Sequence, residues 1–199
     1  MPSRFLTSIA VTMLSGCVVG NIGNKLELGY VPDSADQTGL ASKTFNLTVT
    51  DARPYVTHGK KYPYYLGIYR GGYGNPFDVY LKGKVALSDQ MKGDFRSEFQ
   101  ALGMVETAEG SSKKLLVRIR DWNFDAGIDA RFWYDVELTV ADAEGKQLAV
   151  SRVKEEKIIK GNVLAGPQPA MKEAMPAYYG DVIRKLVRED ASILSALRL

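Results

Sequence analysis

Few side chains in this sequence could take part in nucleophilic, acid–base or metal chemistry. The 199 residues include one cysteine, Cys17, and one histidine, His58. A Ser–His–Asp or Cys–His arrangement would have to use His58, which precedes Gly59, Lys60 and Lys61 in a polar stretch. Structural zinc sites take four cysteine or histidine ligands, and two such residues cannot supply them. We therefore expect His58 at the surface and predict no catalytic residue and no metal site.

Carboxylates are numerous, but their spacing selects no catalytic pair. The run 121–127 begins like a calcium loop, since Asp121, Asn123 and Asp125 occupy the first three ligand positions. The twelfth position would be Phe132, where a carboxylate is needed to complete the coordination. A strand would instead place the three polar side chains on one solvated face, which is the favoured interpretation. A glycosidase-like carboxylate pair elsewhere in the chain stays open.

Asp51 and Arg53 are two charged residues that flank the predicted end of a strand. Phe45, Leu47 and Val49 alternate with polar residues before them, and Pro54 follows, which cannot donate to a β-ladder. We predict a structural role for both residues, as an ion pair or a turn cap.

The amino terminus has the order of a secretory signal peptide. Arg4 precedes an apolar stretch over 5–13, and Ser15 and Gly16 are small residues at a cleavage position. The apolar stretch is shorter than the roughly 20 residues that a transmembrane helix needs. We therefore predict a signal peptide over 1–16.

The run Leu14-Ser15-Gly16-Cys17 resembles the lipobox of bacterial lipoproteins. This resemblance implies a diacylglycerol on the Cys17 thiol and an acyl chain on the new amino terminus, which together would anchor the protein to a membrane. In such proteins an aspartate after the cysteine favours the inner membrane. Val18 stands there instead, which suggests the outer membrane, facing the periplasm. No cofactor besides this covalent lipid is expected.

Composition indicates one globular domain. Hydrophobic residues make up 45% of the chain and charged residues 25%, as in ordinary folded proteins. The net charge of +3 is too small to predict nucleic-acid binding. Glycine, proline and polar residues punctuate the stretch after Cys17, so we predict a flexible tether over 17–43 and a single periplasmic domain over 44–199. Leu26, Leu28 and Tyr30 alternate, so a short strand could interrupt the tether.

Periodicity predicts an α+β fold. The clearest alternation, Phe132 to Val140, turns at Gly145 into a partner strand and so forms a long antiparallel hairpin. Helical spacing of apolar residues begins near Met91 and again near Met171. We expect a two-layer sandwich in which an antiparallel-rich mixed sheet carries two main helices on one face.

A tyrosine- and glycine-rich segment over 55–80 is the unusual part of the chain. Tyrosine combines a large apolar ring with a polar tip and suits both protein interfaces and carbohydrate stacking. One interpretation is a loop that folds over the sheet and buries several rings. The other is a partner-contact surface formed by Tyr62, Tyr64, Tyr65, Tyr69, Arg70 and Tyr73.

The chain also resembles the YajG-type lipoproteins, near the transport-auxiliary lipoproteins. The matching stretches are Val49-Thr50-Asp51-Ala52-Arg53-Pro54, Leu66-Gly67, Ala101-Leu102-Gly103, residues 115–125, residues 134–159, and the last helix with Asp190 and Ile193. The insert at 55–80 departs from that pattern. The resemblance implies an exported lipoprotein of undefined biochemical role and carries over no catalytic residue.

These observations predict a non-enzymatic interaction or assembly module in the bacterial envelope, with an envelope protein or glycan as its partner. One alternative is a stable lipoprotein subunit of a secretion or transport machine. Another is an envelope enzyme that acts on a glycan through carboxylates near the tyrosine-rich segment.

Overall fold

The computed structural model describes residues 25–33, 40–71, 74–162 and 166–199. Eight strands and four α-helices lie within these ranges. In chain order they are β1 (Lys25–Leu26), β2 (Thr44–Asp51), α1 (Pro54–Thr57), β3 (Tyr65–Arg70), β4 (Pro76–Leu81), α2 (Leu87–Ala101), β5 (Val105–Glu106), β6 (Lys113–Ala126), β7 (Ala130–Asp142), β8 (Gln147–Ile159), α3 (Gln168–Arg184) and α4 (Ala191–Arg198).

All eight strands belong to one mixed sheet with β6 at its centre. One edge of β6 pairs in parallel first with β2 and then, near Asp125, with β3. The other edge pairs antiparallel with β7, which pairs antiparallel with β8. Mixed α/β content and a mixed sheet are confirmed. The finer arrangement, a two-layer sandwich with both main helices on one face, stays a prediction.

Aromatic side chains join the helices to the buried side of the sheet. Phe99 of α2 packs against Phe45 of β2 with 5.4 Å between ring centroids. Tyr179 of α3 meets Trp122 of β6 edge-on at 5.6 Å. A bulge between Ile119 and Asp121 shifts the alternation of β6 by one residue and keeps Trp122 on the buried side. The rings therefore form one continuous core with the sheet.

The carboxyl-terminal helices contain two irregularities. Pro176 lies inside α3 without ending it, and residues Lys185–Glu189 continue the helix as a π-helical turn. Asp190 then caps α4 by accepting hydrogen bonds from the amides of Ser192 and Ile193. Of the helices the structure describes, none is long and apolar enough to cross a membrane.

Residues 25–33 pack onto the domain, although they fall within the predicted tether. Leu26 and Leu28 are buried, and β1 pairs in parallel with β4. Tyr30 donates a 2.5 Å hydrogen bond to Glu98, a buried carboxylate of α2 that also pairs with Arg188. The prediction of a flexible tether is therefore wrong for this segment, because its alternating apolar residues cover a hydrophobic surface of the domain. The short strand that this alternation allowed is present as β1.

Candidate functional site

Arg53 is the structural centre of the segment that connects β2 to β3. Its side chain is fully buried, although the residue carries a charge. Nε and Nη2 donate to the two carboxylate oxygens of Asp51 at 2.8 and 2.7 Å. Nη1 donates to the carbonyl of Tyr65 at 2.6 Å, and Nη2 to that of Pro63 at 2.7 Å. One guanidinium group thus fixes both ends of the connecting loop.

The polar residues that resemble the start of a calcium loop hold this segment against β6. Tyr55 donates to Asp121 at 3.2 Å and to the carbonyl of Trp122 at 2.8 Å. The Tyr65 hydroxyl donates to Asn123 at 3.2 Å. Asp121 and Asn123 are half-buried, so the expectation of a solvated face is wrong there. The reason is that the tyrosine hydroxyls replace water as hydrogen-bond donors.

The third polar residue, Asp125, receives a bidentate ion pair from Arg70. Nε and Nη2 of Arg70 lie 2.6 and 2.5 Å from the two carboxylate oxygens. No group of three or more potential metal ligands occurs in the part of the chain that the structure describes. The carboxylates of Asp121 and Asp125 therefore hold the tyrosine-rich segment against the sheet.

Burial sets the protonation of the docking groups. It raises the pKa of Tyr65 to about 12 and also raises that of Tyr55. Burial likewise raises the pKa of the Asp121 carboxyl, against hydrogen bonds from Tyr55 and the Trp122 amide that lower it. Both phenols therefore remain protonated and can donate hydrogen bonds throughout the neutral range.

The predicted partner-contact residues divide into buried and exposed members. Tyr65 is only 4% exposed, so its assignment to a contact surface is wrong: its ring packs edge-on against Tyr55. Tyr64 and Tyr69 are half-buried and pack against the core. Tyr62 is 61% exposed and stacks on Tyr64, with ring centroids 5.0 Å apart.

The remaining predicted site residues lie at the surface or outside the described residues. Arg70 is exposed, and so is His58, which follows α1. Tyr73 and Cys17 fall outside the described residues, as do the signal peptide and the lipobox.

A larger exposed feature lies beside this segment, on the outward side of β6, β7 and β8. Two neighbouring grooves of about 710 and 470 Å³ share Arg131 and Trp133. We call this surface the Trp133 face. Its other lining residues include Pro54, Arg70, Arg120, Asp121, Asp125, Asp135, Lys154, Glu156, Ile158 and Lys160.

Most charges on the Trp133 face are already paired. Asp135, which is 7% exposed, accepts two hydrogen bonds from Arg152, and Arg131 lies 3.1 Å from Glu156. Lys154 has no ion-pair partner within 4 Å among the described residues. The face therefore combines a half-buried indole, a set of oriented charge pairs and, among the residues that the structure describes, one cation without an ion-pair partner.

Trp133 was not among the site residues predicted from the sequence, although the sequence pattern of β7 indicates that it points outward. Phe132, Tyr134 and Val136 point to the core, so the alternation of β7 places Trp133 on the opposite side. A tryptophan on the outward side of a strand is the unusual observation that would have identified this surface.

No protein-family model matches the chain, and no curated protein matches it. Among solved structures, a protein of the DUF330 family from Xanthomonas campestris is similar, with a TM-score of 0.54 and 11% identity. The match covers 80% of this chain and 91% of that one. The chain therefore shares the overall fold of this protein, and at this identity the likeness extends to the fold alone.

Proteins titled as lipoproteins are also among the similar structures. A minor lipoprotein from Acinetobacter baumannii matches with a TM-score of 0.39 and 8% identity, over 73% of this chain and 91% of that one. A lipoprotein from Neisseria meningitidis matches with a TM-score of 0.30 and 8% identity, over 71% and 97%. Both TM-scores are below 0.5, so no residue or role is transferred from them.

Proposed function

We propose that this protein is a lipoprotein of the bacterial outer membrane that faces the periplasm and acts as a non-enzymatic interaction module. Lipid on Cys17 would anchor it, and the Trp133 face would contact an envelope protein or glycan. The observation that carries the proposal is a tryptophan flanked by oriented charges on a side of the sheet where the residues point outward. The lipobox-like run at Cys17 supports the location.

The Trp133 face suits binding better than acid–base catalysis. Asp121 and Asp135 lie directly opposite each other on β6 and β7 and are the carboxylate pair on this face to compare with a glycosidase pair. Both carboxylates are held by structural partners, however: Asp135 by Arg152, and Asp121 by Tyr55. A general acid or base must exchange its proton with a substrate, and these hydrogen bonds occupy both carboxylate oxygens of Asp135 and Oδ1 of Asp121. We therefore favour a binding role over the glycan-acting enzyme.

Replacing Cys17 with alanine tests the anchor. Because a single acyl chain binds membranes weakly and two or three bind them firmly, loss of all acylation should release the protein from membranes into the soluble fraction. Labelling with a clickable fatty acid and fractionation of cells would report both effects. Serine at the neighbouring position 18, in Val18→Ser, should leave labelling unchanged. Full membrane retention of the alanine variant without label would overturn the anchor.

Replacing Trp133 with alanine tests the contact surface. A photocrosslinking amino acid at position 131 should give a discrete adduct in intact cells, and Trp133→Ala should reduce its yield at least severalfold because tryptophans contribute most of the binding energy at many interfaces. Phe77→Ala is the matched control, since Phe77 is a 48% exposed aromatic residue of β4 outside both grooves. Mass spectrometry of the adduct would distinguish a protein from a glycan.

Two outcomes would contradict the contact surface. One is an adduct whose yield does not change with Trp133→Ala, and the other is equal loss with Phe77→Ala. Circular dichroism of each variant would show that the fold is intact, so that a lost adduct reports on the surface and not on unfolding.

A further inference from the structure

Within the described ranges, the sheet has one long strand edge that pairs with no other strand. Along the path from β1 to β5, the terminal strands are only two residues long. Short terminal strands are a common protection against edge-to-edge association. By contrast, β8 has 13 residues and, among the described strands, pairs with β7 alone. It contains neither proline nor glycine, which would limit pairing along its free edge.

The outward side chains of β8 have a self-complementary order. Val150 comes first and is followed by Arg152, Lys154, Glu156 and Ile158 at intervals of two. The two apolar ends are 41% and 57% exposed. From Val150 to Ile158 the order is apolar, basic, basic, acidic, apolar. In the opposite direction it is apolar, acidic, basic, basic, apolar. An antiparallel copy of the strand would thus place opposite charges and apolar groups across from each other.

We propose that β8 pairs with β8 of a second copy of this chain, antiparallel, about a two-fold axis at Lys154. In this register Val150 lies opposite Ile158 of the partner subunit, and Arg152 lies opposite Glu156 of the partner subunit. Each pair occurs twice because a two-fold interface repeats every contact. The central pair of lysines is the one unfavourable contact on this side, and Asp135 lies beside it on β7.

The existing ion pairs extend across this interface. Within one chain, Arg131 pairs with Glu156, and Arg152 pairs with Asp135. Bringing Glu156 next to Arg152 of the partner subunit joins the two pairs into a row of alternating charges. Networks of this kind are more favourable than isolated surface pairs. The same pairing would place the two Trp133 faces side by side on one continuous sheet.

The neighbouring register is less favourable. An axis at Glu155 would also give an ion pair, between Lys154 and Glu156 of the partner subunit. It would, however, bring Glu155 opposite its own copy and would place Ile158 opposite Arg152 of the partner subunit. Like charges directly opposite are destabilising, and here an apolar group would also face a cation. The two registers make opposite predictions for Ile158→Glu, which weakens pairing about Lys154 but gains an ion pair in pairing about Glu155.

Sedimentation velocity of the full chain in detergent, over a concentration series, tests the proposal. The parent chain should form a dimer, and Val150→Lys and Ile158→Glu should each weaken it about tenfold, since each alters two contacts. The double variant brings the introduced lysine opposite the introduced glutamate twice, so it should recover most of the dimer. Val31→Lys is the matched control, because Val31 is 85% exposed and lies outside the sheet.

Crosslinking tests whether the two copies meet along β8. Lys154→Cys should give a dimer with a short bismaleimide, whereas the parent chain, with Cys17 as its one cysteine, should not. A monomeric parent chain would overturn the proposal, as would single variants that dimerise as well as the parent. A stronger dimer for Ile158→Glu would show that the two-fold axis lies at Glu155 and not at Lys154. Association that the β8 variants leave unchanged would place the second copy on another surface.

Discussion

Replacing Arg53 with methionine should destabilise the domain by about 3–5 kcal/mol. The substitution keeps much of the side-chain volume but removes every donor of the guanidinium group. The Asp51 carboxylate, 10% exposed, would then lose its cation, and the carbonyls of Tyr65 and Pro63 would lose their hydrogen bonds. A buried acceptor without a donor carries its full desolvation cost. Urea denaturation followed by far-ultraviolet circular dichroism would measure the change.

Two further arginine variants identify the cause of that loss. Arg70→Met removes a bidentate ion pair of the same chemistry, but Arg70 is 46% exposed, so we expect a loss below about 1 kcal/mol. Arg53→Lys keeps the charge and cannot donate to four acceptors in the same plane, so it should recover only part of the stability. Equal losses at positions 53 and 70 would show that burial of the arginine is not the cause.

The sheet and its long hairpin follow from local patterns. The β7–β8 hairpin was predictable because apolar residues recur at every second position from Phe132 to Val140 and a glycine turn follows. An ion pair between Asp51 and Arg53 is one of the two structural roles predicted from the sequence, since two opposite charges two residues apart at a strand end can reach each other. These features depend on contacts between residues close in sequence or on one strand's own period.

The features that escaped prediction depend on contacts between distant segments. Nothing near Leu26 or Tyr30 in sequence indicates that the first meets β4 or that the second reaches Glu98, 68 residues away. The burial of Tyr65 has the same origin, because Asn123 and Tyr55 approach it only after β3 joins β6. Composition predicted a flexible tether and left open whether the tyrosines are buried or exposed. Tertiary packing changed the first and decided the second for Tyr65.

Gly67 marks the place where β3 and β6 approach too closely for a side chain. We expect Gly67→Ala to destabilise the domain by about 3 kcal/mol, because an added Cβ would lie 2.5 Å from the backbone oxygen of Phe124 and 2.6 Å from its Cγ. The backbone oxygen belongs to the central strand and cannot move without displacing its neighbours. Tyr65 and Arg70 lie on the same strand, so their hydrogen bonds to Asn123 and Asp125 should weaken as well.

Gly93→Ala is the matched substitution with the opposite expected sign. Gly93 lies inside α2, and a Cβ there would meet no atom within 4 Å. Alanine restricts the unfolded chain and favours the helix, so this variant should gain about 0.5–1 kcal/mol in the same urea experiment. If the free energy of unfolding falls for Gly67→Ala and rises for Gly93→Ala, the cause at Gly67 is the close approach of two strands and not a general effect of replacing glycine. If Gly67→Ala also stabilised the domain, β3 would not dock on β6 as closely as described, and the tyrosine-rich segment would lose its rigid support.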